Sequence, residues 1–433
     1  MINKILSKYF DTDSSELLSK SISFMIIRIL GTIITFSFTF YVTSKYGADI
    51  YGLIALGFSV FLVVSVIGRL GLDIHIVKFF SLQKSNEDSG LFLISLLKSF
   101  LVTGLISLLI FWQNDFIVNE IFKEPKPELI PYLNWILPAI PFWSTTLLCA
   151  NFLRSKKMNN WFVFFTSSSR FTFALIILLV IASYFSDPLI VVQAHFFSVL
   201  IISILSFLIA ISRFDTLKLK SKTSSWRFLK ESLPIMYSSS INVLLNWIGV
   251  FILGAYTSNK EVGIFEIAVK LAFLLNFFLQ ALNSILAPKI AEKYNSGNIE
   301  GCQKMIKLST KINFLISLST SVVLIIFNQY ILGIFGNEFK AAYVMFILLC
   351  LGQLVSAFSG SVGIILQMTG KQVIYQYLMI LALAVSVIFM FILVPTYGGE
   401  GAAVASLLSM MTWNFLGLIY IKRKMNLKSY FHI

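Results

Sequence analysis

Long apolar runs alternate with short polar stretches along the whole chain. A helix needs about twenty mainly apolar residues to cross a hydrocarbon layer of ~30 Å. On that measure about twelve segments qualify: 21–43, 52–70, 91–112, 130–152, 161–182, 189–211, 233–256, 264–287, 312–335, 341–366, 373–395 and 400–421. A membrane barrel would instead show residue-by-residue alternation over segments of about ten. The pattern predicts an all-α, polytopic membrane protein of about twelve transmembrane helices. The fourth segment carries Pro131, Pro138 and Pro141, which predicts a kink.

Charge sharpens this picture. Of 433 residues 57% are hydrophobic and 12% charged, roughly half the charge of a soluble domain. The formal net charge of +14 would suggest nucleic acid in a soluble protein, but here the basic residues sit mainly in short loops, so no nucleic-acid partner is read from them. With the N-terminus in the cytoplasm, inside segments hold 25 of the 34 Lys and Arg, outside loops hold 5, and spans hold 4. That bias predicts that both termini are cytoplasmic. Asp11, Asp13 and Glu16 precede the first apolar run, so the start does not read as a secretory signal. Ile2, Ile5, Leu6 and Tyr9 share a helical face, which predicts an amphipathic surface segment over 1–20. The expected domains are then 1–20, a first lobe 21–211, a basic cytoplasmic linker 212–232, a second lobe 233–421 and a cytoplasmic tail 422–433. Cys149, Cys302 and Cys350 are scattered, as are the three histidines. No metal, cofactor, nucleophile or phosphate-loop motif is visible, so neither a cofactor nor an enzyme is expected.

A few charges break the apolar runs. Arg28 lies in "SFMIIRILGTIITFSFTFYV", Lys98 in "FLISLLKSFLVTGLISLLIF", Arg170 in "SSSRFTFALIILLVIA", and Glu266 and Lys270 in "FEIAVKLAFLLNFFLQALN". At about 100° per residue, Ser21, Arg28, Thr32, Thr35 and Thr39 share a narrow arc. Ser238, Asn242 and Asn246 share one with Gly249. Glu266, Lys270, Asn276, Gln280 and Asn283 form a third stripe. Lipid does not tolerate such faces, so they predict a shared polar interior. A lone cation at mid-membrane costs about 2.5–3.5 kcal/mol on insertion scales, and such residues usually mark a substrate path. Other readings stay open: Arg28 and Lys98 could snorkel to the cytoplasmic surface, and Glu266 could pair with Lys270 four residues on. Four cations against one acid leave a positive sum, which fits an anion; Arg and Lys both suit phosphate.

The halves also resemble each other. "KYGADIYGLIALGFSVFLVV" aligns with "TSNKEVGIFEIAVKLAFLLN", setting Gly52 opposite Gly263, Ser21 opposite Ser232 and Lys78 opposite Lys289. Six spans per half give the halves one orientation, related by an axis along the membrane normal.

The stretch "SLPIMYSSSINVLLNWIGVFILGAYTSNKEVGIFEIAVKLAFLLNFFLQALNSILAPKIAEKYNSGN" resembles the polysaccharide export family. These are O-antigen (Wzx-type) flippases, in the superfamily that also holds lipid II flippases and multidrug and toxin extruders. "SKYGADIYGLIALGFSV", "GRLGLDIHIVKF" and "FLRSKK" resemble further parts of that family, in order, over almost the whole chain. The resemblance implies two six-helix lobes, alternating access and a cationic cavity. It implies a cargo of undecaprenyl-pyrophosphate-linked glycan, moved between leaflets of the bacterial cytoplasmic (inner) membrane, with membrane lipid and other polysaccharide assembly proteins as partners. Many relatives carry Asp two residues after the Trp of "NW", where this chain has Gly249, so ion coupling through that position is in doubt.

The first expectation is thus a lipid-linked oligosaccharide flippase. Arg28, Lys98, Arg170 and Lys270 are expected to hold phosphates, and Asn242, Asn246, Gln280 and Asn283 to hydrogen-bond sugars. Glu266 is a candidate for ion coupling or an ion pair. The alternative is a multidrug exporter of the same superfamily, which predicts acidic residues in the lumen. A membrane polymerase or acyltransferase predicts a large external loop or a clustered polar site, and neither is visible.

Overall fold

The computed structural model describes residues 12–82, 88–221 and 223–432. The amphipathic face expected at Ile2, Ile5, Leu6 and Tyr9 lies outside them. Among the described residues every regular element is helical, and each expected membrane segment falls on helical backbone. The main helices are α1 (Thr12–Gly68), α2 (Leu72–Leu82), α3 (Ser89–Trp112), α4 (Leu129–Ile136), α5 (Ala139–Ser155), α6 (Ser169–Ile181), α7 (Ile190–Ile211), α8 (Ser225–Tyr256), α9 (Asn259–Asn295), α10 (Ile299–Ile326), α11 (Tyr343–Ser359) and α12 (Gln372–Met425). Nine helices among the described residues are long and apolar enough to cross a membrane. The chain is a multi-pass membrane protein.

Two of these helices are each two spans joined without a loop. α1 breaks at Gly47 (φ 78°) and α12 at Gly398 (φ 51°). Only glycine adopts such angles without steric cost. Each break starts a new helix whose first N–H groups lack intrahelical partners, and each is capped by a carboxylate from elsewhere. The Ala48 N–H donates to Glu338 Oε1 at 2.6 Å, and the Gly399 N–H to Glu261 Oε1 at 2.6 Å. A carboxylate there also meets the positive end of the helix dipole. The kink predicted from prolines is present: α4 stops at Ile136 and α5 starts at Ala139, with Pro138 between them. The tenth expected segment is interrupted too, at Gly360 (φ 77°). A Cβ at Gly360 would stand 2.4 Å from the Ser429 carbonyl oxygen, because the C-terminal strand of chain packs into that break.

The chain divides into two compact units. The first comprises the chain up to Val42, Val60–Ile121 and Lys126–Ser240; the second comprises Thr43–Ser59, Phe122–Pro125 and the chain from Ile241 on. Two stretches of the first half, Thr43–Ser59 and Phe122–Pro125, thus group with the second unit, and the first unit extends to Ser240. For Thr43–Ser59 the cause is close backbone packing. A Cβ on Gly52 would lie 1.8 Å from the Asn259 carbonyl oxygen, and one on Gly263 would lie 2.1 Å from that of Ala48. The two glycines matched by the internal repeat therefore meet.

The first unit has an aromatic core in which Phe80, Phe92, Phe152, Phe214 and Phe228 are buried together. Phe152 stacks on Phe214 at 4.8 Å between centroids. In the second unit Leu286, Ile290, Ile306, Val362, Ile365 and Ile421 form a buried aliphatic core. Each core ties span ends together, so the polar side chains of the spans are held on rigid helices.

Candidate functional site

In the first unit the three intramembrane cations stand in different surroundings. Arg28 is half-buried on α1. The threonines of its stripe turn back onto their own helix: Thr32 Oγ1 donates to the Arg28 carbonyl at 3.0 Å and Thr35 Oγ1 to that of Gly31 at 2.8 Å. Such back-bonding satisfies a hydroxyl in an apolar medium. Lys98 reaches the start of α8. Its Nζ donates to the Ser225 carbonyl at 2.9 Å and to Ser225 Oγ at 3.1 Å, and it lies 4.3 Å from the centre of the Trp226 ring.

Arg170 sits in an aromatic box. Its guanidinium carbon is 4.4 Å from the ring centre of Phe171, 5.0 Å from Trp143 and 5.4 Å from Phe61. A π-helical turn, Phe164–Ser168, immediately precedes α6, and such turns shift side-chain register within a helix. On α7, Ser198 Oγ donates to the Arg170 carbonyl at 2.6 Å, and the fully buried His195 meets Phe61 edge-on at 5.1 Å. Ring faces attract a cation through their quadrupole. They hold the guanidinium charge in place without cancelling it, as a carboxylate would.

In the second unit Glu266 and Lys270 lie on one face of α9, 3.9 Å apart, and Glu266 is 3% exposed. Lys270 Nζ donates to Tyr51 Oη at 2.5 Å and lies 5.1 Å from the centre of that ring. Asn246 is exposed and its Nδ2 donates to the Asn242 carbonyl at 2.7 Å. The Asn242 side chain receives a long contact from Tyr375 Oη at 3.5 Å. Asn283 Oδ1 accepts from Ser361 Oγ at 2.5 Å. Gln280 is half-buried on the same helix. A Cβ on Gly249 would lie 3.0 Å from Met390 Cε and 3.5 Å from the Phe265 ring, so the end of the Met390 side chain would have to give by a few tenths of an ångström. Among the described residues no three His, Cys, Asp or Glu side chains gather closely enough to hold a metal ion.

The structure thus joins Lys270 to Glu266 and joins Asn242 to Asn246, while Lys98 is tied to the linker end. Sequence reasoning missed Tyr51, His195 and the rings of Phe61 and Trp143. Each is an apolar or weakly polar residue in an apolar run, and only the fold brings it to a cation.

Comparison with known proteins places this architecture. A model described as polysaccharide biosynthesis protein matches residues 17–294, and one described as MatE matches residues 234–393. A probable low-salt glycan biosynthesis flippase, Agl15 of Haloferax volcanii, is 24% identical over 210 residues, 48% of this chain and 44% of that protein. The capsular polysaccharide biosynthesis protein CapF of Staphylococcus aureus is 23% identical over 179 residues, 41% of this chain and 45% of that one. The match therefore spans less than half the length of either relative. Among solved structures, an inward-facing MATE family multidrug resistance transporter superposes with a TM-score of 0.78 at 17% identity, covering 94% of this chain and 98% of that one. The lipid II flippase MurJ in an inward closed conformation gives a TM-score of 0.78 at 15% identity, covering 94% and 87%. At such identities these likenesses establish the fold alone. The family model covers well over half of the chain, and the chain belongs to the polysaccharide biosynthesis protein family.

Proposed function

We propose that this protein is a flippase, not an enzyme, and that it moves a polyprenyl-pyrophosphate-linked oligosaccharide from the inner to the outer leaflet of a bacterial cytoplasmic membrane. It works by alternating access of two six-helix lobes, 21–211 and 233–421, with both termini in the cytoplasm. The observation that carries this reading is Arg170, a cation held within a span by aromatic rings. A phosphate charge is far costlier in a low dielectric than in water, and a fixed guanidinium offsets that cost with a fork that matches phosphate oxygens. Arg28, Lys98 and Lys270 add positive charge at other depths. Asn242, Asn246, Gln280 and Asn283 supply uncharged donors and acceptors suited to sugar hydroxyls. The names of Agl15 and CapF, a glycan flippase and a capsular polysaccharide protein, support the same cargo class.

The MatE match over residues 234–393 favours a second reading, a multidrug exporter. That reading needs acidic groups for cationic drugs. Glu266 is joined to Lys270, and Gly249 supplies no carboxylate. The test is a strain lacking the gene. Loss of surface glycan, with lipid-linked precursor retained on the inner leaflet, supports the flippase. Normal glycan with heightened sensitivity to cationic drugs overturns it.

A further inference from the structure

The chain between α7 and α8 forms a strap pinned at several points of its described backbone, with several exposed side chains. Phe214 near one end and Phe228 near the other are buried in the first unit's aromatic core. Between them the backbone is pinned to the start of α3. Ser89 Oγ lies 3.1 Å from the Thr216 carbonyl and 3.2 Å from that of Lys218, and it accepts the Lys218 N–H at 2.8 Å. Asp88 Oδ2 accepts from Ser221 Oγ at 3.1 Å and from the Thr223 N–H at 3.2 Å. A Cβ on Gly90 would stand 2.5 Å from the Lys220 carbonyl, so the strap lies directly on the backbone there. Asp88 and Ser89 are 2% and 0% exposed.

The outward side chains have an unusual composition for a fixed loop. Leu219 is 82% exposed, Leu217 59% and Trp226, in the first turn of α8, 68%. Lys218 and Lys220 are the cations that alternate with the leucines, and both are exposed. Arg227 is already joined to Glu231 at 3.0 Å. The strap is bounded by the end of α7 and the starts of α3 and α8, three helices long and apolar enough to cross a membrane. It therefore lies at the ends of spanning helices, on the side where they leave the bilayer. Exposed apolar groups with Trp suit the interfacial zone. Lysines beside them suit anionic headgroups, with their stems lying along the apolar surface.

We propose that this strap is a docking surface for anionic phospholipid headgroups of the leaflet on its own side. Leu217, Leu219 and Trp226 enter the interface, and Lys218 and Lys220 hold phosphates. The inference does not depend on the cargo or on the chain's orientation in the cell. Cysteine replaces Leu219 in the full-length protein freed of Cys149, Cys302 and Cys350, all of which are buried. The thiol is labelled with an environment-sensitive fluorophore, and the protein is reconstituted into symmetric vesicles of phosphatidylcholine with or without phosphatidylglycerol. Blue-shifted emission is expected, quenched by headgroup-region nitroxide lipid, protected from iodide and strengthened by phosphatidylglycerol. The charge reversals Lys218→Glu and Lys220→Glu together are expected to lower the phosphatidylglycerol dependence of docking by roughly tenfold or more. Strong iodide quenching in every lipid overturns the proposal, because the strap is then in water. Equal docking in both lipids overturns the headgroup assignment. Protection that follows protein density and not lipid charge assigns the surface to a second copy instead.

Discussion

Replacing Arg170 by Met, Lys and Ala separates charge, fork and volume. Three rings lie within 4.4–5.4 Å of the guanidinium carbon. A desolvated cation–π contact contributes about 1–2 kcal/mol. Three contacts on one group do not add fully, so their joint attraction is about 3 kcal/mol. Met loses that attraction but also loses the cost of desolvating a cation, which is several kcal/mol. The two nearly cancel, and Met keeps most of the volume of the stem. The Met variant should therefore reach the membrane at the wild-type level. Its transport should not survive so well. A hydrogen bond to a charged group is worth about 1.5–3 kcal/mol, which corresponds to roughly a 10- to 100-fold slower rate if it is lost from the rate-limiting barrier. Arg170→Lys should fall between, with charge retained and the bidentate fork gone. Arg170→Ala adds a cavity among the rings, so it reports stability and transport together and is the less decisive variant. The assay is surface glycan in a deletion strain complemented by each variant, with membrane levels followed in parallel. Full export by a normally expressed Met variant refutes the reasoning and makes Arg170 a packing cation.

Four further outcomes follow from the packing. Gly52→Ala places a Cβ 1.8 Å from a backbone oxygen, so the helices must part by about 1.6 Å to restore an ordinary 3.4 Å contact; at an overpacking cost of ~1–3 kcal/mol, thermal stability should drop, and an unchanged melting curve would contradict the close approach. Gly249→Asp should lower the folded yield, because it places a carboxylate against Met390 Cε and the Phe265 ring; an unchanged yield would show that the neighbours give way. Glu261→Gln should cost about 0.3–1 kcal/mol through the weakened helix-dipole cap at Gly399, read as a lower unfolding midpoint in detergent. A cysteine at the exposed Ser224, in a cysteine-free background, should resist a membrane-impermeant thiol reagent in intact cells; labelling without lysis would invert the proposed orientation.

How much could be read from the sequence depended on the range of the interactions. Apolar run length reports helices directly, so every expected segment falls on helix, and Pro131, Pro138 and Pro141 announced the break before α5. The breaks at Gly47 and Gly398 were harder to see. A glycine in a membrane helix is common, and what makes these turns is a carboxylate brought from Glu338 or Glu261, 290 and 138 residues away in the chain. The helical arcs found the polar positions of α1, α8 and α9 but not their partners. Thr32 and Thr35 share an arc with Arg28, yet their hydroxyls serve the backbone one turn earlier. Tyr51 carried no signal at all, since its meeting with Lys270 depends on Gly52 admitting α9 at backbone distance.

The intramembrane charges, met as one set in the sequence, separate by surroundings. Glu266 and Lys270 lie side by side on α9. Tyr51 fixes the ammonium further. Lys98 is drawn towards Ser225 and Trp226 at a span end. Arg28 and Arg170 remain on the spans of the first unit, with no acid in the same segments. Three of the four intramembrane cations therefore lie in the first unit. An exporter of cationic drugs needs the opposite sign, and a protein handling a neutral lipid needs none. Aromatic rings around Arg170 help to stabilise a cation within a span. A carboxylate would stabilise the ground state but would compete with phosphate for the same fork. Rings stabilise the charge without competing for phosphate oxygens, which is the physical argument for the anionic cargo proposed above.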